Sequence, residues 1–206
     1  MTDLRTNYID AAFPLRGQSI PIDHGYSLFA ALSRIVPALH ESRHWGVHPV
    51  RGEYQGKGVL ALTEHSHIKI RLPAGEIAAI LALTGQPIDI DGNACKLGVP
   101  TIFQLIPAPY LQSRLVTIKS ASTEEEIARS VSRQLAELPE LGQPADSVEV
   151  EIGPRRVLRI KGKSVWGYAV ALSGLLATGS VAVQQNGLGG RRRMGAGMFV
   201  PPARRA

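Results

Sequence analysis

The sequence has little cysteine, few aromatic residues and no long apolar run, and each shortage excludes a class of protein. Its single cysteine, Cys95, excludes an internal disulfide and a cysteine-based zinc site. Aromatic residues make up only 5% of the 206 residues, so the core should consist mainly of Ala, Val, Leu and Ile. No apolar run approaches the roughly 18 residues of a membrane span, and residues 1–10 lack the apolar segment of a signal peptide. These features predict a soluble, cytoplasmic protein without membrane contact.

Acidic residues are missing from the last quarter of the chain. Residues 152–206 carry ten Lys and Arg and no Asp or Glu, whereas residues 1–151 carry 13 Lys and Arg against 17 Asp and Glu. A solvated basic surface is the simpler explanation, but ordinary surfaces mix the two signs. An acid-free stretch of 55 residues therefore favours a polyanion partner, and RNA or DNA fits best.

The hydrophobic pattern of the first half predicts alternating strands and helices. Alternating apolar residues indicate strands, and apolar residues three and four apart indicate helices. The predicted strands are 8–15, 46–52, 58–72, 87–92 and 96–106, and the predicted helices are 20–41 and 73–85. Asp23 is the predicted N-cap of the first helix, and Pro37 is expected to bend or interrupt its last turn.

The second half repeats this order of elements. Its predicted strands are 113–120, 148–153, 155–172 and 197–201, and its predicted helices are 122–138 and 175–187. A capping box opens helix 122–138, formed by Ser122 with Glu125 or by Thr123 with Glu126. Each half reads β-α-β-β-α-β, so the predicted fold is α+β, with two tandem ferredoxin-like (RRM-like) units over residues 1–106 and 107–206.

A glycine-rich segment with three consecutive arginines, NGLGGRRRMGAG, covers residues 186–197 between the last predicted helix and strand. Glycine lets a phosphate approach the main chain, and its N–H groups can bind phosphate oxygens. Arginine adds forked donors suited to phosphate and base edges. The segment is therefore predicted to be an RNA-binding surface loop. A dinucleotide fingerprint would instead follow the first strand and open a helix.

Six segments together resemble a known family. They are DHGYSLFAALSR, LHE, GVHPVRG, SRLVTIKS, RRVLRIKG and the C-terminal GLGGRRRMGAGMFVP. They resemble the CRISPR-associated, repeat-processing endoribonucleases of the RAMP superfamily, in the version of type I subtype U (MYXAN-type). The resemblance spans nearly the whole chain.

This resemblance implies an endoribonuclease that cuts precursor CRISPR RNA within its repeats, without a metal or other cofactor. Attack by the RNA's own 2′-OH leaves a 2′,3′-cyclic phosphate and a 5′-OH. The implied partners are repeat RNA, as precursor and as mature crRNA, and subunits of a type I effector complex. The protein itself is expected to be a monomer or weak dimer. The alternative function is a RAMP-type subunit that holds crRNA without cutting it, because fold does not fix function.

Metal-free RNA cleavage needs a base, an acid and cations around the phosphate, and histidine suits both proton steps. The resemblance places the catalytic histidine in a Leu-His context at the end of the first helix, which is His40 here. His24 and Tyr26, at the start of that helix, are the second choice. A helix rise of about 1.5 Å per residue would separate His24 from His40 by about 24 Å. One of the two is therefore predicted to be structural, as a cap or packing residue.

The remaining candidates are basic or glycine residues of the second half. Lys161 is predicted either to neutralise the scissile phosphate or to bind the backbone elsewhere on the RNA.

His40, His44 and His48 lie four residues apart, but no carboxylate or cysteine at a confirming spacing supports a metal site. The predicted RNA-binding residues are Lys119, Arg155, Arg156, Arg159, Lys163, Gly187, Gly189, Gly190, Arg191, Arg192, Arg193 and Gly195.

Overall fold

The computed structural model describes residues 7–119 and 121–202, and the chain divides into two compact units between Gln104 and Leu105. The sequence placed this boundary two residues later. Ser120, the last residue of the predicted strand 113–120, lies outside the described residues, as do the two ends of the predicted domains. No helix of residues 7–119 or 121–202 is long and apolar enough to cross a membrane.

The first unit is a mixed α/β structure with antiparallel sheets. Its strands are β1 (Tyr8–Arg16), β2 (Ser19–Pro21), β3 (Gly46–Val47), β4 (Glu53–Tyr54), β5 (Val59–Ala61), β6 (His67–Pro73), β7 (Pro87–Ile90), β8 (Asn93–Leu97) and β9 (Thr101–Gln104). Its helices are α1 (Gly25–Ile35), α2 (Ala38–Glu41) and the 3₁₀ helix Ala74–Leu83. Strand β1 pairs with β9 on one side and β6 on the other, and β6 pairs with β3. The end of β1 also pairs with the β7–β8 hairpin, while β2, β5 and β4 form a separate small sheet.

The register of β1 against β6 sorts apolar from charged side chains. Ile9, Ala11 and Phe13 pair with Leu72, Ile70 and Ile68, and all six are buried. Side chains alternate between the two faces of a strand, so these residues share one face of the sheet. Asp10 and its partner Arg71 lie on the opposite face.

The predicted helix 20–41 is two helices, and the interruption predicted at Pro37 is confirmed. Helix α1 ends at Ile35, and Val36 has φ −123° and ψ 86°, the kind of extended backbone favoured before proline. Its N-cap position is His24 rather than the predicted Asp23. The first residues of the predicted helix belong instead to β2, where Ile20 pairs with Leu60.

The predicted α-helix 73–85 is a 3₁₀ helix over Ala74–Leu83. A 3₁₀ helix repeats every three residues, and the less exposed positions recur at that spacing, at Ala74, Ile77, Ile80 and Leu83.

The predicted strands 46–52, 58–72 and 96–106 are each broken. In 58–72 the break follows Ala61, where the Ser66 hydroxyl accepts from Thr63 N and donates to Arg51 O.

The second unit contains the strands β10 (Leu111–Val116), β11 (Glu149–Ile160) and β12 (Lys163–Ser173), with the helices α3 (Glu124–Ala136) and α4 (Ala177–Asn186). The sheet order is β10–β12–β11, all antiparallel. The Thr123–Glu126 capping box is confirmed at the start of α3. The predicted final strand 197–201 is wrong, because this segment makes a single bridge to β10, between Val200 and Gln112.

Candidate nucleic-acid interface

The glycine-rich loop, residues 187–197, is tied to the end of β10. Gly190 N–H donates to Thr117 O at 2.8 Å, and the Thr117 hydroxyl donates to Gly190 O at 3.2 Å. Further along the loop, Gly197 N–H donates to Leu115 O at 2.7 Å. Helix α3 adds a third attachment, because Gly189 N–H donates to Gln134 Oε1 at 2.8 Å. The loop is therefore held at both ends by the unit's own framework.

Three of the loop glycines are required by backbone geometry, and the first is Gly187, which has φ +62° and whose Cβ would meet Gly197 O. Gly189 has φ +81°, and a Cβ there would lie 2.8 Å from Thr117 O. Gly197 has φ +68°, and a Cβ there would lie 2.5 Å from Leu188 O. A side chain would meet both a strained backbone and a main-chain oxygen at these positions.

The predicted phosphate nest of glycine N–H groups is wrong, because those groups are already bonded within the protein. Besides Gly189 and Gly190, the N–H of Gly187 donates to Val183 O at 2.8 Å and that of Gly195 donates to Arg192 O at 3.1 Å. A donor engaged by a protein carbonyl is not available to a phosphate oxygen. These glycines shape the loop, and its charge must come from the arginines.

The three loop arginines lie in different environments. Arg191 is exposed, has φ +66°, and donates from Nη1 to the Thr117 hydroxyl at 3.3 Å. Arg192 is half-buried, and its Nη2 donates to Gln185 O, in the last turn of α4, at 2.5 Å. Arg193 is also half-buried. The expectation of a wholly surface loop is wrong at its two ends, where Gly187, Leu188 and residues 195–197 are buried.

The predicted single strand 155–172 is wrong, because these residues form a basic hairpin from the end of β11 and the start of β12. Lys161 and Gly162 occupy its turn with φ +49° and +78°, the conformation of a tight two-residue hairpin turn. All five predicted basic residues are exposed: Arg155, Arg156, Arg159, Lys161 and Lys163. The hairpin's apolar side, Leu158 and Ile160, packs with Met194 and Ala196 of the loop. Loop and hairpin therefore form one continuous surface of the second unit.

Lys119 is exposed two residues beyond Thr117, the main attachment point of the loop. The structure thus brings Lys119, the loop and the hairpin together in one unit. Thr117 and Gln134, which hold the loop, were missed by sequence reasoning, since neither carries a charge or a motif.

The catalytic candidates all lie in the first unit, apart from Lys161. His40 is exposed on the single turn α2, and its ring lies against Phe29 with 5.8 Å between ring centroids and 27° between ring planes. Tyr26 is half-buried in the first turn of α1. The break at Pro37 creates the separate turn that carries His40.

His24 is buried, and the backbone occupies both of its ring nitrogens. Nδ1 lies 2.9 Å from Pro21 O, and Nε2 lies 2.9 Å from Val50 N. A carbonyl can only accept and a backbone N–H can only donate, so Nδ1 carries the proton and the ring is neutral. The imidazole joins the start of α1 to residue 50 of the chain.

A buried charged cluster on the sheet was missed by sequence reasoning. Arg71 donates to both oxygens of Asp10, from Nε at 2.8 Å and from Nη2 at 2.9 Å, and His48 Nε2 donates to Asp10 Oδ1 at 3.2 Å. The available signal was an aspartate inside the apolar strand β1. His48 also belonged to the four-residue histidine spacing weighed above as a metal motif, and its Nε2 is committed to Asp10 instead.

Burial sets the protonation states of this cluster. Burial opposes the ionised form of Asp10, but the hydrogen bond from His48, together with the hydrogen bonds and the positive charge of Arg71, outweighs it and holds the pKa of its carboxyl well below the usual range. Burial lowers the pKa of His48 to about 4, against the hydrogen bond to Asp10, which raises it. His48 is therefore neutral near pH 7, while Asp10 and Arg71 form a buried ion pair.

Comparison with known sequences identifies the family. A family model described as Cas6 Crispr matches residues 9–204. A relative from Myxococcus xanthus (strain DK1622), the CRISPR-associated endonuclease Cas6, is 41% identical over 199 residues, which cover 97% of this chain and 84% of the relative. The chain belongs to the Cas6 family. The resemblance stated from the sequence is confirmed at this level.

Solved structures share the Cas6 fold at low sequence identity. A structure described as a Cas6-related gene product from Pyrococcus furiosus matches with a TM-score of 0.66 and 16% identity, covering 97% of this chain and 99% of that one. Another, described as an RAMP protein binding different RNA substrates, matches with a TM-score of 0.64 and 15% identity, covering 94% and 98%. These similarities show the fold of the Cas6 family, mixed α/β with antiparallel sheets.

The loop geometry predicts opposite outcomes for two adjacent glycines. Gly189→Ala should lower the free energy of unfolding by about 1–3 kcal/mol, because alanine is strained at this φ and its Cβ meets Thr117 O. Gly190→Ala is the matched control, because the nearest atom to its Cβ is 3.8 Å away, and it should change stability by less than about 1 kcal/mol. Urea denaturation measures both, and equal effects would contradict the geometry.

The buried cluster predicts a pH-dependent stability. The unfolded chain takes up a proton at His48 near pH 6.5, whereas the folded chain does so only near pH 4. The free energy of unfolding should therefore fall by about 1–2 kcal/mol more between pH 6.5 and pH 5 in the wild type than in His48→Gln. Denaturation at the two pH values measures this difference, and parallel pH profiles would show that His48 is not the cause.

Proposed function

We propose that this Cas6-family chain is a metal-independent endoribonuclease that cuts precursor CRISPR RNA within its repeats. The relative named as a CRISPR-associated endonuclease supports the activity, at 41% identity over nearly the whole chain. The exposed basic residues of the loop and hairpin support RNA as the substrate. Their phosphate contacts give affinity, and any base contacts give selectivity.

The strand orders support ferredoxin-like units. In the first unit β1, α1, β3, β6, the 3₁₀ helix and β9 follow one another as β-α-β-β-α-β, and the central sheet runs β9–β1–β6–β3. In the second unit the sheet runs β10–β12–β11, and the bridge at Val200 stands beside β10 in place of the last strand. The split βαβ arrangement accounts for both. The small sheet and the β7–β8 hairpin are additions to the first unit.

The exposed imidazole of His40 is the observation that carries the catalytic assignment. The ring nitrogens of His24 are both bound to backbone groups, whereas His40 is exposed on its own turn. Stacking on Phe29 restricts the orientations of the His40 ring. His24 is therefore assigned a structural role and His40 the proton transfer.

The reaction needs no water and no external nucleophile. The 2′-oxygen of the nucleotide before the cut attacks the adjacent phosphorus as its proton leaves, and the bond from phosphorus to the 5′-oxygen breaks. The products are a 2′,3′-cyclic phosphate and a 5′-OH, the latter formed when the leaving oxygen takes a proton. His40 acts in one of these two proton transfers. Lys161, at the exposed hairpin turn, is the proposed cation for the phosphate.

Mature crRNA and type I effector subunits are the proposed partners after cleavage. The loop and hairpin present cations that bind phosphates irrespective of sequence, so the same surface can keep hold of the product. A monomer or weak dimer remains the expectation for the free protein.

The catalytic assignment predicts that substitution of one histidine greatly lowers the cleavage rate. His40→Ala should slow single-turnover cleavage of repeat RNA in EDTA by about 10²–10⁴-fold, as expected for loss of one positioned proton-transfer group. RNA affinity should change little, because the cations of the loop and hairpin that are proposed to bind the phosphates remain in place. His44→Ala, another exposed histidine four residues away, is the matched control and should cut at the wild-type rate.

The results for the two histidine variants distinguish which histidine is catalytic, and the wild-type result distinguishes a nuclease from a non-catalytic subunit. Loss of stability, with a modest effect on cleavage by the folded protein, is expected for His24→Ala. Should His24→Ala abolish cleavage while His40→Ala cuts normally, the two roles are reversed. Tight binding of repeat RNA by the wild type without any cleavage would instead favour the non-catalytic crRNA-binding subunit.

The loop structure predicts that substitutions of two neighbouring arginines have different effects. Arg191→Ala should weaken RNA binding and reduce the slope of log K against log[salt] by about 0.7–0.9, the loss of one phosphate contact. Arg192→Ala should also lower the free energy of unfolding, because Arg192 ties the loop to Gln185 O at the end of α4. Salt titrations and denaturation of both variants test this, and identical behaviour of the two would contradict the division of roles.

A further inference from the structure

The chain has two tryptophans in opposite environments. Trp45 is 1% exposed, and its indole N–H donates to Glu76 Oε2 at 2.5 Å. Trp166, on β12, is 50% exposed. A large aromatic ring left half in water is the less usual case, and Trp166 lies on the basic hairpin.

Basic side chains share the face on which Trp166 lies. The guanidinium of Arg155 lies 4.4 Å from the centre of the indole ring system. Cross-strand partners lie on the same face of a sheet, so Val157, opposite Trp166, shares its face. The pair Arg159 and Ser164 lies two positions nearer the turn, and because side chains alternate between faces it shares this face as well. Arg159 and Ser164 are both exposed. The arrangement is an exposed aromatic ring between two arginines.

The Arg155 contact orders the indole before any ligand arrives. A cation–π contact at this distance restricts the ring's rotamers, and a side chain ordered in advance loses less entropy on binding. Half of the residue stays exposed despite this contact. The ring is thus held in place and still open to a ligand.

The surrounding charge selects the ligand. The hairpin from Arg155 to Trp166 carries five cationic side chains and no acidic one, which suits a polyanion better than a typical protein surface. Every nucleobase has a flat face that stacks on an aromatic ring, and unpaired nucleotides are the ones free to do so. Phosphates on either side of a stacked base carry the negative charge that Arg155 and Arg159 attract.

We propose that Trp166 is a stacking platform for one unpaired nucleobase of the bound RNA, with Arg155 and Arg159 binding the flanking phosphates. This inference rests on the proposed function, because it takes RNA as the ligand of the second unit. It adds a position-selective contact to a surface that otherwise consists of sequence-independent charge.

Tryptophan fluorescence tests the stacking directly. Titration of the full chain with a single-stranded repeat RNA should quench Trp166, because a stacked base quenches indole emission. Trp45 is buried and should remain nearly constant, so Trp166→Phe should show almost no quenching while still binding RNA. Quenching that persists in Trp166→Phe would overturn the assignment.

Affinity measurements separate stacking from charge. Trp166→Ala should weaken binding about 5- to 150-fold, the range measured for loss of one stacked base, with an unchanged salt slope. Trp166→Phe should recover most of the affinity, because phenylalanine also stacks. Arg155→Gln should reduce the salt slope by about 0.7. Tyr54→Ala removes another exposed aromatic, 64% exposed in the first unit, and should leave affinity unchanged.

A set of RNAs with one abasic nucleotide each locates the base that stacks. At the matching position, the abasic RNA and Trp166→Ala should each weaken binding, and together they should weaken it no further. Additive losses at every position would overturn the proposal. So would a concentration-dependent dimer that Trp166→Ala disrupts without any effect on RNA affinity, which would make Trp166 a contact between copies of the chain.

Failure of this inference is distinguishable from failure of the proposed function. Wild-type cleavage with unchanged affinity in Trp166→Ala would overturn the stacking platform and leave the nuclease intact. Absence of cleavage, with quenching and the expected Trp166→Ala loss on the same RNA, would overturn the nuclease and support the platform.

Discussion

The close approach of the glycine-rich loop to the end of β10 is the constraint on which the basic surface of the second unit depends. Two main-chain hydrogen bonds hold it there, from Gly190 to Thr117 and from Gly197 to Leu115. Glycine at position 189 lets the two backbones come this near, because a Cβ there would lie 2.8 Å from Thr117 O. Once the loop is fixed, Met194 and Ala196 cover the apolar side of the hairpin. Two basic segments that are distant in sequence thereby become one surface.

The glycines and arginines of this loop have roles that differ from those expected from their chemistry alone. A glycine N–H can donate to a phosphate only when it is not already hydrogen-bonded to a carbonyl. The N–H groups of Gly187, Gly189, Gly190, Gly195 and Gly197 are hydrogen-bonded within the protein. Arginine can bind a phosphate only where its guanidinium reaches solvent; Arg191 is exposed, whereas Arg192 is bound to Gln185 O. The loop thus uses glycine for shape and divides its arginines between attachment and charge.

Three histidines of the first unit show how environment assigns roles to one side chain. His24 is fixed in its neutral tautomer by a carbonyl and a backbone N–H. His48 is kept neutral by burial and serves as a donor to Asp10. His40 is exposed and stacked on Phe29. Burial and backbone contacts thus commit the first two rings to the fold, whereas the ring of His40 meets the exposure that its proposed role requires.

The sequence by itself determined the features that depend on neighbouring residues. The Thr123–Glu126 capping box needs residues three apart, and the interruption at Pro37 needs only the proline's missing N–H and fixed ring. The places of β1, α3 and α4 followed from local periodicity, and the acid-free segment after Glu151 is a property of composition. The exposed hairpin cations were predictable for the same reason.

Only the tertiary structure decided the features that depend on distant partners. Asp10 and Arg71 are 61 residues apart, and Thr117 and Gly190 are 73 apart, so no local pattern reveals either contact. Local patterns also do not reveal the hydrogen-bond acceptors of the Gly189 and Gly190 N–H groups, the burial of His24, or the reduction of the last predicted strand to a bridge at Val200. Short-range preferences choose the elements, but hydrogen bonds and burial are completed by whichever groups the fold brings together, and those groups decide which side chains remain available to a ligand.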